Sequence, residues 1–407
     1  MPIYGGITPI SIPGEVVANP VAVTLAYTYG AIAISPDGTT AYVVAYGTGG
    51  SYVIPVALPS GVAEPPIFIS EPGGDIGDIA ISPDGSTLYI TAPGVYPGII
   101  VVLHLLLDAV SSFTVAGATS TESIVITPDG GTAYITDSGG GAIIAVDLAT
   151  TIGTSLAVDG QALVISPDGS TLYVASANNV AVVDIATDTV TTTIDVYDGG
   201  VYITAIAITP DGSTAYVTPS TGGGAEAIDL GTNTIIGPVA GGFLPGGVTG
   251  LLCNDSTLFA STSGDAILPT ADISTNTVGA TVDMGSGAAV GPMALSLDGT
   301  TLYVICQARV FVSPLSPTNG PTTGATAVTV NGSGFYRVSS VTFGAVPAAS
   351  FTIVTPETEI LAVSPPGTGA VEVVVETPWG PSGPVGTNSD EFTYTAPPGA
   401  WTVGMIP

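Results

Sequence analysis

The sequence predicts an all-β protein: a seven-bladed β-propeller followed by a β-sandwich. Three observations predict it. One short sentence of sequence recurs seven times at a nearly constant spacing. Each repeat holds four short apolar runs and no helical pattern. At Pro317 the repeat gives way to short alternating runs split by Gly and Pro. Self-similarity at a period of about 40–45 residues, with four strands per unit, is the signature of propeller blades.

The copies read AIAISPDGTTAYVV, DIAISPDGSTLYIT, SIVITPDGGTAYIT, ALVISPDGSTLYVA, AIAITPDGSTAYVT, GLLCNDSTLFAS and ALSLDGTTLYVI. Their turns are marked by Pro36, Pro83, Pro128, Pro167 and Pro210, with Cys253 and Leu297 in the two degenerate copies, so the spacings are 47, 45, 39, 43, 43 and 44 residues. Each copy reads as a hairpin. Pro presets φ for the turn, Asp bonds nearby backbone, and Gly accepts a positive φ. The flanks, such as Ala31–Ile34 and Ala41–Val44, are too short for helices and rich in strand formers. A third run follows, often ending in Asp (Asp147, Asp184, Asp229, Asp272), and then a fourth.

The pattern Ser-Pro-Asp-Gly-x-x-Leu/Ala-Tyr-Val, followed by a Val-Val-Asp-like strand, resembles the YVTN-type β-propeller repeat over about residues 1–316. Repeats one and two depart from it in the third strand (SYVIPVAL and IIVVLHLLL). Repeat six lacks Pro and Gly at its turn, and repeat seven lacks Pro. The seventh repeat offers ALSL, TLYVI and RVFVSPL, leaving one strand missing. Ile10–Ala18 is the expected donor, pairing into the last blade and removing an open sheet edge.

Residues 317–395 alternate apolar and polar positions with the rhythm of a small sandwich. Pro321, Gly324, Val328–Val330, Gly334–Phe335, Val341, Phe343–Gly344, Phe351, Pro366, Val371–Val375 and Phe392–Tyr394 are similar to the IPT/TIG immunoglobulin-like domain. That resemblance implies an immunoglobulin-like β-sandwich, a module often used as a spacer or adhesive unit in surface proteins. Residues 396–407 form an apolar tail, GAWTVGMIP after two prolines, expected to dock into a neighbouring subunit.

Composition narrows the function. Only 8% of residues are charged, lysine is absent, Arg309 and Arg337 are the basic residues, and the net charge is −30. A nucleic acid partner is excluded for want of a basic patch, and anionic membranes are disfavoured for the same reason. No 18-residue apolar stretch marks a spanning helix. A polar surface of Ser, Thr, Asn and Gly, poor in Lys and Arg cleavage sites, suits an extracellular or particle-surface protein, and few of its groups change charge in acid. The N-terminus MPIYGGITPISIPGEVV lacks the basic and apolar regions of an ordinary signal peptide. Cys253 and Cys306 fall at opposite blade ends, beyond the Cα separation of about 7 Å that a disulfide spans, and read as buried free thiols.

No cofactor is expected. One His and no Cys-x-x-Cys leave no zinc, haem or iron–sulfur set. Calcium would accept oxygen ligands, but Asp37, Asp84, Asp129, Asp168 and Asp211 have a turn explanation. His104 sits inside a strand without a nucleophile, and no enzyme activity is expected. Asp75, Asp78, Glu122 and Asp137 are acids that a glycosidase would need in pairs, which spacing does not supply. Tyr42, Tyr89, Tyr134, Tyr173, Tyr216, Phe259 and Tyr303 recur in every blade and read as packing between sheets rather than a binding stripe. Residues that break the repeat on the loop face are Tyr46, Tyr96, Asp137, Asn178, Asn179, Asp265 and Gln307, candidates for a protein or glycan partner. Asn254 and Asn331 are glycosylation sequons in predicted turns. The leading expectation is a non-enzymatic surface protein with the propeller as interaction platform. A carbohydrate-binding or glycan-active propeller and a self-assembling lattice, filament or virion subunit are the alternatives.

Overall fold

The computed structural model describes residues 4–396, apart from 13, 15, 19, 24–27, 48–49, 59, 70–75, 199–200, 221–223, 242–247, 263–265, 285–287, 309, 379 and 383–389. The apolar tail, from 397 onward, lies outside the described residues. Seven antiparallel sheets stand as blades around an axis. Their innermost strands are Thr28–Ile34, Ile79–Ile81, Thr121–Ile126, Ala162–Ile165, Ile203–Ile208, Val248–Cys253 and Ala288–Leu295, each packing on the next and the last packing on the first.

The hydrophobic core lies between blades. Ile100 and Val102 of blade two pack on Ile124 and Ile135 of blade three, and Tyr134 and Ile143 of blade three pack on Leu172 and Val174 of blade four. A central strand therefore turns an apolar side to each neighbour, as in Val180–Val183, which is buried throughout. The fourth strands face solvent, as in Thr189–Asp195. The recurrent aromatics fill these seams: Tyr134, Tyr173, Tyr216, Phe259 and Tyr303 are buried. The Tyr134 hydroxyl crosses to the next blade and donates to Asp188 at 2.7 Å.

The repeated turn is a self-contained bonding unit. Asp37 accepts from the Ser35 hydroxyl at 2.6 Å and the Thr39 N–H at 3.0 Å, and Ser35 Oγ accepts the Thr40 N–H. Asp84, Asp129, Asp168, Asp211 and Asp298 repeat the pattern. Turns of adjacent blades also interlock. A Cβ on Gly169, at φ +73°, would sit 3.0 Å from the Pro128 ring of the preceding blade, and Gly85, Gly130 and Gly212 face Pro36, Pro83 and Pro167 in the same way. In degenerate blade six Asn254 takes both roles. Its Oδ1 accepts the Ser256 and Thr257 N–H groups, and its Nδ2 donates to Gly299 O of blade seven at 3.0 Å.

Blade seven corrects two expectations. Tyr4–Ser11 pairs antiparallel with Thr301–Ala308, with Ile7 opposite Ile305 and Ile10 opposite Leu302. Val16–Val17 and Val21–Val23 add outside it. The N-terminus thus donates more than one strand, beginning earlier than Ile10. The segment RVFVSPL is not a blade strand. Phe311–Ser316 pairs with Ala327–Phe335 in the sandwich. The outer edge of Thr301–Ala308 is already occupied by Tyr4–Ser11, so the chain after Ala308 has no free edge there. The boundary between the two folds accordingly lies near 310 rather than at 317.

The sandwich packs the sheet Phe311–Ser316, Ala327–Phe335, Glu357–Val363, Ser350–Thr355 on the sheet Asn319–Pro321, Glu391–Thr395, Gly369–Thr377, Ser340–Phe343, Val346–Pro347. Phe392 meets Phe343 and Tyr394 edge-on, at 5.2 and 5.1 Å between centroids. The Tyr394 hydroxyl donates to Pro365 O at 2.9 Å. One apolar cluster runs from Ile10, Ile12 and Met284 of the propeller through Val310 and Val312 into Val328, Val330 and Phe335. Arg337 of the sandwich donates to Val17 O at 3.0 Å and lies 5.2 Å from the Tyr336 ring centroid. Both cysteines are buried and free, and burial pushes each thiol up to about 12.

Two outcomes follow from this architecture. Ile10, fully buried at the junction, should cost about 2–5 kcal/mol when truncated to Ala, by denaturant unfolding; the exposed Val16→Ala change should stay within about 0.5 kcal/mol. Hydrogen bonds from Ser166 and Ser170 push the Asp168 carboxyl down from 3.8 to about 2, and the sister Asp residues shift in the same direction. A carboxyl with a lowered folded pKa contributes stability above pH 4 or so, and loses it as the pH falls through the folded value. The unfolding midpoint should therefore decline only between about pH 4 and 2 through these turns, with the Asp168 side-chain carbon resonance titrating near 2.

Candidate binding site at the axial channel

The innermost strands do not pair evenly with their neighbours. The register jumps between Tyr29 and Ala31, Thr121 and Ile124, Ile203 and Ala205, Val248 and Gly250, and Val290 and Met293. Each jump is a β-bulge, a device that turns a side chain out of the regular alternation. The bulged residues Gly30, Glu122, Ser123, Thr204, Thr249 and Pro292 all line one cavity on the axis, of about 610 Å³.

One position per blade governs this lining. It lies five residues ahead of Ser35, Ser82, Thr127, Ser166, Thr209, Asn254 and Ser296, and is occupied by Gly30, Gly77, Glu122, Gln161, Thr204, Thr249 and Gly291. Blades seven, one and two thus present glycine, and blades three to six present polar side chains. Gly77 is sterically required, because backbone stands where its Cβ would go, and a side chain at Gly30 would have to displace the end of Tyr46. A Cβ on Gly30 would lie 2.8 Å from the Tyr46 hydroxyl oxygen, and one on Gly77 would lie 2.8 Å from Glu122 O. The ring is therefore asymmetric, with its functional groups gathered on one arc.

Glu122, Gln161 and Thr204 also border a second, adjoining cleft of about 670 Å³ with Thr136, Asp137, Asp159, Ser176 and Tyr202. Both volumes fall in the range of small-molecule sites, about 300–1,000 Å³. Hydrogen bonds fasten the rim. Thr91 Oγ1 accepts the Asp78 N–H at 2.7 Å and donates to Glu122 O, tying blade two to blade three. Asp78 accepts the Ile79 N–H at 2.9 Å and the Ile124 N–H at 3.2 Å. Burial raises the Asp78 carboxyl to about 6, and these two N–H donors partly offset the rise.

The acids named from the sequence divide accordingly. Asp78 and Glu122 converge on the axial cavity, whereas Asp75 lies outside the described residues. Asp137 is 2% exposed. Its Oδ1 accepts the Thr119 and Ser120 N–H groups and the Thr119 hydroxyl, at 2.7–2.9 Å. Burial raises its pKa, and these bonds more than reverse the rise, so the net shift is downward. Asp137 thus lies on the loop face, in the wall of the adjoining cleft, with its carboxylate spent on bracing the preceding loop.

Among the other loop-face candidates, Tyr96 is 81% exposed. Tyr46 is half-buried against Gly30 in the seam between blades one and two. Asn178 donates to Tyr197 O at 2.8 Å and takes Val196 and Tyr197 N–H groups on its carbonyl, so it holds a turn. Asn179 is a ladder residue opposite Ser176 and Asp195. Gln307 is a strand residue opposite Gly5 and Ala289, and Asp265 lies outside the described residues. The sequons also change meaning. Asn254 is buried with its amide fully engaged, and Asn331 stands in a strand rather than a turn, opposite Glu359, its Nδ2 donating to Pro314 O. His104 is exposed at a strand end, its Nδ1 3.4 Å from the Thr87 hydroxyl. Asp147, Asp184, Asp229 and Asp272 accept backbone N–H groups of their own hairpins. Among the described residues no three His, Cys, Asp or Glu side chains are grouped to hold a metal ion.

Glu122, Gln161, Thr204 and Tyr202 are the residues that sequence reading missed as a group. The signal was present, because the position five residues ahead of the turn Ser, Thr or Asn changes from Gly to Glu, Gln and Thr.

Comparison with known proteins bears on the fold. The family model of the IPT/TIG domain matches residues 311–396, which agrees with the boundary near 310. No curated protein matches the sequence. The solved structure of Kuenenia stuttgartiensis hydrazine synthase is similar, with 20% identity and a TM-score of 0.57 over 68% of this chain and 92% of that one. At that identity the likeness is one of fold. The fold is also widely shared, with 1468 solved chains matching, so it carries little information about function.

Asp78 provides the check on this site. An acid whose folded pKa is raised contributes stability below its unfolded pKa and loses it as the pH rises through the folded value. Here that window runs from 3.8 to about 6. Asp78→Asn should flatten the melting temperature across that window relative to the parent chain, read by a pH series of thermal scans.

Proposed function

We propose that this chain is a non-enzymatic interaction protein displayed outside the cell or on a particle surface. Its propeller is the platform, and its sandwich is the support that links the platform to an assembly. The observation that carries the reading is the contrast in how the two ring ends use polar groups. At the Pro-Asp-Gly end each recurrent turn carboxylate is consumed by its own hairpin. At the opposite end the loops present Tyr96 and Tyr202, 81% and 54% exposed, beside an open polar cleft. Exposed tyrosines on rigidly held loops are typical anchors of recognition surfaces.

The composition supports display in a harsh exterior. Charge is sparse, and a surface without lysine gives trypsin-like proteases little to cut. The sandwich shares a core with blade seven, so it would transmit position rather than swing freely. Among the described residues no helix is long and apolar enough to cross a membrane.

Two measurements test the reading. Proteinase treatment of intact source cells or particles should remove the protein from immunoblots; full protection would overturn surface display. Negative-stain electron microscopy with light scattering should show single dispersed chains. Ordered filaments, sheets or closed particles would instead make it a structural subunit, and removal of residues 396–407 should then return it to single chains.

A further inference from the structure

We propose that the arc formed by blades three to five at the channel mouth is a binding site for a neutral carbohydrate, accommodating the end of a short oligosaccharide. The inference stands on the cleft itself and holds whether or not the chain is displayed on a surface.

The first observation is what the cleft residues do not bond. The recurrent turn carboxylates are engaged by their own hairpins, whereas Glu122, Asp159 and Gln161 are exposed. The side-chain heads of Glu122, Asp159 and Gln161 carry no hydrogen bond among the described residues, and Glu122 contributes only its carbonyl to the Thr91 hydroxyl. All three border the same cleft. The second observation is the bulge in blade three, which turns Glu122 and Ser123 out of register with Thr136 and toward the axis. The third is Tyr202. Its backbone is clamped to Ser220 by bonds in both directions, yet the residue is 54% exposed on the cleft rim.

Ligand chemistry follows from this set. An anion is excluded, since the cleft lining holds carboxylates and no cation and the chain carries a charge of −30. An apolar ligand would strand the carboxylates and the amide without partners. A polyamine would satisfy the carboxylates but has only donors to offer, leaving the Gln161 N–H₂ unused. A sugar hydroxyl donates and accepts, so it uses carboxylate, amide and Thr204 hydroxyl together. The C–H face of a pyranose also matches the flat apolar face of Tyr202. The cleft shares Glu122, Gln161 and Thr204 with the axial cavity of about 610 Å³, so a further sugar ring can extend into that cavity.

The test uses the full chain and a panel of neutral trisaccharides (maltotriose, cellotriose, laminaritriose, mannotriose and chitotriose), with spermidine as the cationic probe, each titrated calorimetrically to roughly 10 mM, the weak end of measurable affinity. At least one sugar should bind, independently of salt. Tyr202→Ala and Gln161→Ala should each weaken it about tenfold or more, with unchanged melting temperatures. Tyr96→Ala, on the same end but outside the cleft, should bind as the parent chain does. Three results would overturn the proposal: no sugar bound, equal binding by the Tyr202 and Gln161 variants, or salt-sensitive binding of spermidine alone. None of them bears on the proteinase test of surface display.

Discussion

The structure depends on the antiparallel pairing of Tyr4–Ser11 with Thr301–Ala308. A propeller blade buries an apolar face against each neighbour, so an open ring would leave two such faces and two sheet edges in water. Joining the first strand of the chain to the last blade closes the ring through backbone hydrogen bonds between its distant ends. Ile7 then enters the seam with blade one and Ile10 the seam with blade six and the sandwich. That single register also decides where the chain goes next. With the outer edge of Thr301–Ala308 occupied, Phe311–Ser316 becomes a strand of the sandwich, and the two folds meet over a shared apolar cluster rather than across a loose linker.

Closure imposes a second condition at the axis. Seven inner strands converge there and crowd one another. Three blades have glycine at the crowded position, where a Cβ would press on neighbouring residues, and blades three to six keep Glu122, Gln161, Thr204 and Thr249, aimed inward largely by bulges. The bulge thus relieves crowding and displays polar groups at one stroke. Asp78 shows the energetic consequence. It stands in the channel wall, where burial raises its proton affinity and two backbone N–H groups only partly offset the rise.

Much of this was legible in the residues. Ser-Pro-Asp-Gly-Ser/Thr predicts its own hydrogen-bonded turn, because every group that satisfies Asp37 or Asp168 lies within two residues of it. The recurrent tyrosines were correctly read as seam packing, since a position repeated in every blade meets the same neighbour every time. Cys253 and Cys306 were rightly expected to be free and buried. Illegible were the interactions between blades. Pro128 against Gly169 and Asn254 against Gly299 join residues about a repeat apart, and neither partner alone implies the other. The bonds that engage Asp137 were illegible for the same reason. Its partners Thr119 and Ser120 belong to the preceding connection, which only the fold brings back against it.

The sequence alone determined the all-β class, the number of blades and the chemistry of each turn, because these rest on contacts a few residues apart and on a period that simply repeats. It also determined the sandwich core, whose alternation places Val328, Val330, Phe343 and Phe392 inward. Only the tertiary structure decided which strands close the ring, where the sandwich begins, and that four polar residues from four different blades share one arc of the channel. Those outcomes rest on edges, bulges and seams formed by residues tens to hundreds of positions apart, and such distances become short only when the ring is complete.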